Sequence, residues 1–252
     1  MKIGIISAMI EEVGLLSEYI DDRKTKTSGM RDYLSGSLWG IPAVLVYSRM
    51  GKVAAAATAV NLIIEYGVTE IIFIGVAGSC SAKVKIGDIV IGKNLYQHDL
   101  DASPIFKNHE IPLLNKTYIE TDEKARTVFA DISNRFIASI NNNIDKKILD
   151  KFGITEPESI IGDIASGDQF ISGIEQMKQI KNALPSALCV EMEGAAVAQV
   201  CYEYNVPFSV IRVISDSADE NAHIDFQRFI DEIASKYSFE IVKMYLTQKP
   251  KF

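Results

Sequence analysis

Apolar and polar positions follow two rhythms along this chain. Short, nearly continuous apolar runs recur at Lys2–Ala8, Tyr33–Leu38, Pro42–Ser48, Glu70–Ile74, Lys85–Ile91, Ser159–Ala165, Ala187–Met192 and Val206–Ile214. Runs of this length predict strands, most of them covered on both faces. Between them lie stretches with helical spacing: Glu11–Tyr19, Gly51–Tyr66, Thr121–Asn141, Ile174–Leu184, Glu193–Tyr204 and Ile224–Leu246. In the last of these, Phe226, Phe229, Ile230, Ile233, Tyr237, Ile241 and Tyr245 mark one apolar face. Gly67 and Pro185 supply helix stops, and Trp39-Gly40 predicts a turn pairing the second and third strands. Asp101–Lys116 is polar, holds Pro104 and Pro112, and reads as a long loop. Strands and helices alternate from end to end, with no internal repeat, low-complexity tract or linker. One α/β domain over residues 1–252 is the economical expectation.

The stretch Ala187–Asp219 organises the functional reading. Its apolar run ends in Glu191-Met192-Glu193, a small-residue helix follows, and the next strand ends in Ser215-Asp216. That is the pattern of a parallel βαβ unit with carboxylates at both strand ends. In open α/β sheets ligands bind outside the carboxyl ends of the strands. Parallel neighbours lie roughly 5 Å apart, so Glu193 and Asp216 are expected to face one small ligand. Glu11 and Glu12 likewise follow the first strand, where first-turn acids complementing a helix dipole are the plainer explanation. Gly75-Val76-Ala77-Gly78 reads as a glycine loop or a tight turn after a strand. Arg212 interrupts an apolar strand, and a buried guanidinium requires a partner, for which these acids are the candidates.

Composition narrows the classes. With 48% hydrophobic and 23% charged residues a full core is expected. A net charge of −7 and a pI near 5.1 disfavour a nucleic-acid partner. No apolar run reaches the roughly 20 residues of a membrane span, and the N-terminus does not read as a signal peptide. Cys80, Cys189 and Cys201 are isolated in apolar settings and read as reduced thiols of a cytoplasmic protein. The three histidines are not spaced as ligands, so neither a metal nor a cofactor is expected. The positive signal is Glu12, Glu193 and Asp216 with Arg212 and the aromatic Phe170, all near strand ends. That set suits cleavage of a glycosidic bond through an oxocarbenium-like state, which needs an acid on the leaving group and a carboxylate near the attacking water.

At these residues the chain resembles the 5′-methylthioadenosine/S-adenosylhomocysteine nucleosidases of the purine nucleoside phosphorylase superfamily. The blocks are GIISAMIEEV, GKVAAAA, GVAGS, SGDQF, VEMEGAAVAQV and RVISDSAD, in the family's order, and QHDLD resembles a segment near that family's subunit interface. The resemblance implies a three-layer α/β/α sandwich around a mixed, largely parallel twisted sheet, and a homodimer. It implies that Asp216, protonated through burial, donates to N7 of the departing adenine, with Ser215 beside it. Glu193 would bind the ribose hydroxyls and stabilise the cationic sugar. Met192 would pack on the ribose, and Glu191 would lie at the substrate site. Glu12 would activate water, with Arg212 helping to orient it. Phe170 would stack on adenine, the Ile171 backbone would read its edge, and the backbone of Ala77 and Gly78 would lie against the ligand. Ala102 and Ile105 would reach across the dimer to cover the alkylthio tail. Two departures stand out: Val76 where some members carry serine, and a longer Asp101–Ser159 segment. A phosphorylase of the same fold, a non-catalytic nucleoside binder and, more remotely, a Rossmann dehydrogenase are the competing readings. The last lacks its GxGxxG fingerprint.

Overall fold

The computed structural model describes residues 1–217 and 222–249, the side chains of 222–225 excepted. The chain begins with β1 (Ile3–Ser7), α1 (Ile10–Glu18), β2 (Asp21–Ser28), β3 (Arg31–Leu38), β4 (Ile41–Tyr47) and α2 (Lys52–Ile64). β5 (Glu70–Ser79), β6 (Ile89–Gln97), β7 (Ile119–Glu120), α3 (Glu123–Ala138), α4 (Ile140–Asn143) and α5 (Lys146–Lys151) follow. Then come β8 (Ser159–Ser166), α6 (Ile174–Ala183), β9 (Ala187–Glu191), α7 (Gly194–Glu203) and β10 (Phe208–Asp216). α8 (Ala222–Phe229) leads through a π-helical turn, Ile230–Ala234, into α9 (Ser235–Thr247).

β5 is the axis of the sheet. β10 runs parallel along one edge of it, from Phe208↔Ile71 to Asp216↔Gly78. The other edge is shared. β1 pairs with its first half, and β9 pairs antiparallel with its end at Gly78↔Val190 and Ser79↔Cys189. β6 and β8 link β10 back to β9, while β4, β3 and β2 extend outward from β1. The result is a mixed sheet flanked by helices. Alternate side chains of its central strands point into two cores. One joins Ile5, Ile72, Ile74 and Ile211 to α1, α3 and α9; the other joins Ile6, Phe73, Val210 and Ile214 to α2 and α7. Burial on both faces is why β1 and β10 are apolar without alternation.

Several elements differ from the sequence pattern. β2, DDRKTKTS, is almost wholly exposed, so it carries no apolar period; its charges suit an edge strand that must not pair with another chain. Gly75–Ser79 is not a loop after a strand but the second half of β5. β6 starts later than Lys85 because Lys85–Asp88 forms a turn, in which the Asp88 carboxylate accepts from the Lys85 N–H at 2.8 Å. α3 starts two residues later than Thr121, capped by the Asp122 side chain. The final helix is interrupted by the π turn. β9 and β10 are not adjacent parallel neighbours: the end of β5 lies between them. The expected convergence of their acids therefore runs across Gly78, which pairs with Asp216 on one side and Val190 on the other. Ala218 and Asp219, the end of the RVISDSAD block, lie outside the described residues.

Candidate active site

The carboxyl ends of β1, β5, β9 and β10 open onto one cleft, where ligands bind in open α/β sheets. Glu12, Ala77, Gly78, Phe170, Ile171, Glu191, Met192, Glu193 and Asp216 all line it. Met9, Met50, Val76 and Phe226 complete its apolar wall. Ser215 and Arg212 stand behind that wall rather than in it. Ala102 and Ile105 sit on the loop after β6, away from the cleft of this chain, with Ile105 82% exposed.

Glu12 lies at the start of α1, 2% exposed. Its Oε2 accepts from the Ser7 hydroxyl at 2.5 Å and from the Met9 N–H at 3.0 Å. Its Oε1 accepts from the Val76 N–H at 2.9 Å. Burial raises its pKa, and the Ser7 bond, the Arg212 charge and the two backbone donors pull the other way. Gly75 explains how β5 admits this carboxylate: a Cβ there would lie 2.5 Å from Glu12 Oε1. Three hydrogen bonds keep the carboxylate from moving aside. Gly75→Ala is expected to lower turnover at least tenfold and to destabilise the fold by about 1–3 kcal/mol. Steady-state rates and urea denaturation would show both effects, and an unaltered variant would refute this account of Gly75.

Glu191 and Arg212 form a buried pair, Nη2 to Oε2 at 2.6 Å, with each side chain at most 3% exposed. Arg212 also donates to the Ile211 carbonyl at 3.0 Å and stacks 4.1 Å over the Phe73 ring. Glu191 further accepts from the Ser166 hydroxyl and from the N–H groups of Glu193 and Gly194 at the start of α7. Arg212 thus engages Glu191 directly and meets Glu12 and Glu193 through its charge alone. The direct partner of the arginine is thus Glu191, and Glu12 feels only its charge.

Glu193, 5% exposed, accepts from the Gly51 N–H at 2.8 Å. Gly51 has φ of 97°, a backbone shape suited to glycine, which aims that amide into the cleft. Burial first, then the charge of Glu191, pushes Glu193 up to about 8. An unfolded chain releases this proton near pH 4.5, whereas the folded protein keeps it to about pH 8. The folded state therefore binds the extra proton in that window, and stability falls as pH rises through it. The unliganded protein is expected to melt at lower temperature at pH 8 than at pH 5. Glu193→Gln should flatten that slope, and calorimetry at the two pH values decides the point.

Asp216 is 3% exposed, and its Oδ2 accepts from the Ser215 hydroxyl at 2.7 Å. A pattern emerges that acid spacing alone does not reveal. Three fully buried serines at strand ends, Ser7, Ser166 and Ser215, each donate to a different cleft acid. The signal in the sequence was a lone hydroxyl closing an apolar run. Gly51, Met9, Met50 and Phe226 were also missed, because only the three-dimensional path brings them in.

At the cleft mouth Phe170 is 42% exposed and meets the Phe226 ring edge-on at 5.6 Å between centroids. Ile171 is buried beneath. The loop before them is tied down from α2: Asp168 accepts the Lys52 N–H at 2.7 Å, and Lys52 Nζ reaches Asp99 at 2.5 Å. Among the described residues no cluster suited to a metal ion occurs, and no helix is long and apolar enough to cross a membrane.

Comparison with known proteins places this geometry. The Phosphorylase superfamily model matches residues 2–247. A 5′-methylthioadenosine/S-adenosylhomocysteine nucleosidase from Colwellia psychrerythraea 34H, in complex with adenine, superposes with a TM-score of 0.85 at 30% identity, covering 98% of this chain and 95% of that one. The MTA/SAH nucleosidase of Streptococcus pneumoniae with 8-aminoadenine gives 0.82 at 31% identity, covering 98% and 99%. Futalosine hydrolase of Helicobacter pylori strain 26695 gives 0.80 at 31% identity, covering 98% of both. The nucleosidase fold of this chain, and a family match spanning nearly its whole length, show that it belongs to the phosphorylase superfamily.

Proposed function

We propose that this protein hydrolyses the N-glycosidic bond of 5′-methylthioadenosine and S-adenosylhomocysteine, releasing adenine and the thioribose. The observation that carries the reading is one cleft lined by Glu12, Glu193 and Asp216, each at most 5% exposed, beside an aromatic and apolar wall. Solved neighbours that hold adenine or 8-aminoadenine support a purine in that wall.

The chemistry follows from what each group can do. Phe170 and Ile171 receive the adenine face and edge. Asp216 delivers a proton to N7, so the base leaves neutral. Glu193 takes the ribose hydroxyls, and the cation that forms on the sugar as the bond stretches favours its ionised form, whose charge then offsets that cation. Glu12, loaded with donors on both oxygens, accepts the proton of the attacking water. Glu191 holds Arg212 and the start of α7, and so sets where Glu193 points. Burial is the leading cause of the raised pKa of both Glu12 and Glu193, the charge of Glu191 adding to the second, and a cationic sugar favours the ionised form of each.

Hydrolysis is preferred to phosphorolysis for a stated reason. No lysine, arginine or histidine is among the described residues lining the cleft, and Glu12 would face an incoming dianion. The test is adenine release from both nucleosides in phosphate-free buffer, followed by chromatography. A strict phosphate requirement would overturn the hydrolase, and binding without cleavage would leave a nucleoside-binding protein. The 5′ substituent is a separate question, since futalosine hydrolase matches at the same 31% identity as the Streptococcus pneumoniae nucleosidase. A panel adding 5′-deoxyadenosine and 6-amino-6-deoxyfutalosine ranks the tails and bears on methionine salvage against menaquinone synthesis. We place this enzyme as a homodimer in which the exposed Ile105 loop, with Ala102, covers a partner's tail subsite. Sedimentation velocity checks the dimer.

A further inference from the structure

β1 ends on a hydroxyl where its pattern would carry another apolar side chain. Ser7 is fully buried, in register with Tyr47 of β4, and its carbonyl accepts the Ser48 N–H at 2.8 Å. Its backbone is thus held by the sheet, and its Oγ meets Glu12 Oε2 at 2.5 Å. The other donors to this carboxylate are the main-chain N–H groups of Met9 and Val76. Of the three, only Ser7 donates from a side chain, so only its contribution can be removed without altering the backbone. Gly75, lacking a Cβ, leaves the space that Oε1 occupies. The carboxylate is therefore fixed in position and orientation, with Ser7 as the adjustable restraint.

We propose that Ser7 is a positioning residue for water activation, holding the Glu12 carboxylate ionised and aimed into the cleft. The inference rests on the nucleosidase reading of the site. Three donors converging on two oxygens favour the anion over the acid. Burial works against that, and the Ser7 hydrogen bond is the largest of the opposing effects. The charged groups facing Glu12 are Arg212 from β10 and Glu193 at the entry to α7, and Asp216 lines the same cleft. The π-helical turn packed against α1 contributes apolar Ile230 and Ile233. Ser7→Ala leaves all of these in place, so a change in Glu12 titration reports the hydroxyl.

The experiment has two arms. In the first, carbon-13 NMR follows the Glu12 carboxyl, assigned by its loss in Glu12→Gln. Ser7→Ala should titrate about one pH unit higher than the parent, the order expected for losing a hydrogen bond to an ionised group. In the second, the acidic limb of kcat/KM for 5′-methylthioadenosine should move up by a similar amount. Activity below that limb should fall about tenfold, with the melting temperature lowered by no more than a few degrees. Ser7→Thr, which keeps the hydroxyl, should restore both readings. An unmoved titration, an unmoved kinetic limb, or a threonine variant as impaired as alanine would each overturn the proposal. Should the parent protein release no adenine, the nucleosidase reading falls, while the NMR arm still decides whether Ser7 governs Glu12.

Discussion

Asp216→Asn is expected to lower adenine release by two to four orders of magnitude while leaving the fold intact, the range typical of general acid catalysis. Asparagine has nearly the shape of aspartate, and its carbonyl can still accept from the Ser215 hydroxyl that now bonds Oδ2 at 2.7 Å. The backbone at this position is fixed by pairing with Gly78 across β5. What asparagine cannot do is give up a proton, so adenine would have to depart with negative charge developing on its ring. The loss should therefore fall on kcat, with binding of adenine itself changed only a few-fold. A riboside whose leaving group needs no proton, such as a 4-nitrophenolate, should lose much less, because its departure does not draw on the acid. Parallel kinetics on the two substrates, with calorimetry as the control for folding, test this. Undiminished turnover of 5′-methylthioadenosine in the variant would remove Asp216 from the reaction, and equal losses on both substrates would assign it some role other than proton donor.

The parts of this molecule that could be read from the chain are those where burial writes a pattern. β1 and β10 are covered on both faces, so their apolar runs are unbroken, and α2 and α7 show small and apolar residues where they pack on each other. β2 left no trace because an exposed edge strand is stabilised by backbone pairing with β3, to which side-chain polarity contributes nothing visible. The same logic governs the site. Glu12, Glu193 and Asp216 stand out because carboxylates at the ends of buried strands are costly unless something uses them. Which acid holds Arg212 could not be read. Glu191 and Glu193 are two residues apart, and only the fold turns one toward the guanidinium and the other toward the Gly51 amide. Gly75 was misread for a related reason. A glycine after an apolar run usually means a turn, whereas here the strand continues and the missing Cβ makes room for a carboxylate. The loop bearing Ala102 and Ile105 carries no packing pattern of its own, as is usual for an exposed surface loop.

Glu12→Gln should reduce adenine release roughly 10²–10⁴-fold, the contribution of a positioned base. The argument is more than loss of charge. Both carboxylate oxygens now receive donors: the Ser7 hydroxyl and Met9 N–H on one, the Val76 N–H on the other. A glutamine must present its amide nitrogen on one side. If it faces Val76, two N–H groups oppose each other. If it faces Met9 and Ser7, the Met9 N–H meets a donor, although the serine can turn and accept. The side chain is thus pushed toward the second arrangement, with its oxygen left against Val76 and no basic atom for the water. Removing a buried negative charge offsets part of the lost bonding, because burial already raises the pKa of this group. Melting temperature is therefore expected to change little while kcat collapses, and affinity for adenine, which the proposed reading seats against Phe170, should hold. Glu12→Asp gives the complementary comparison. It keeps the charge but withdraws the carboxylate by one methylene from all three donors, and should also be severely slowed. Near-parent turnover in Glu12→Gln would show that water is activated elsewhere, and Glu12 would then have to be understood as a residue capping the start of α1 that happens to line the cleft.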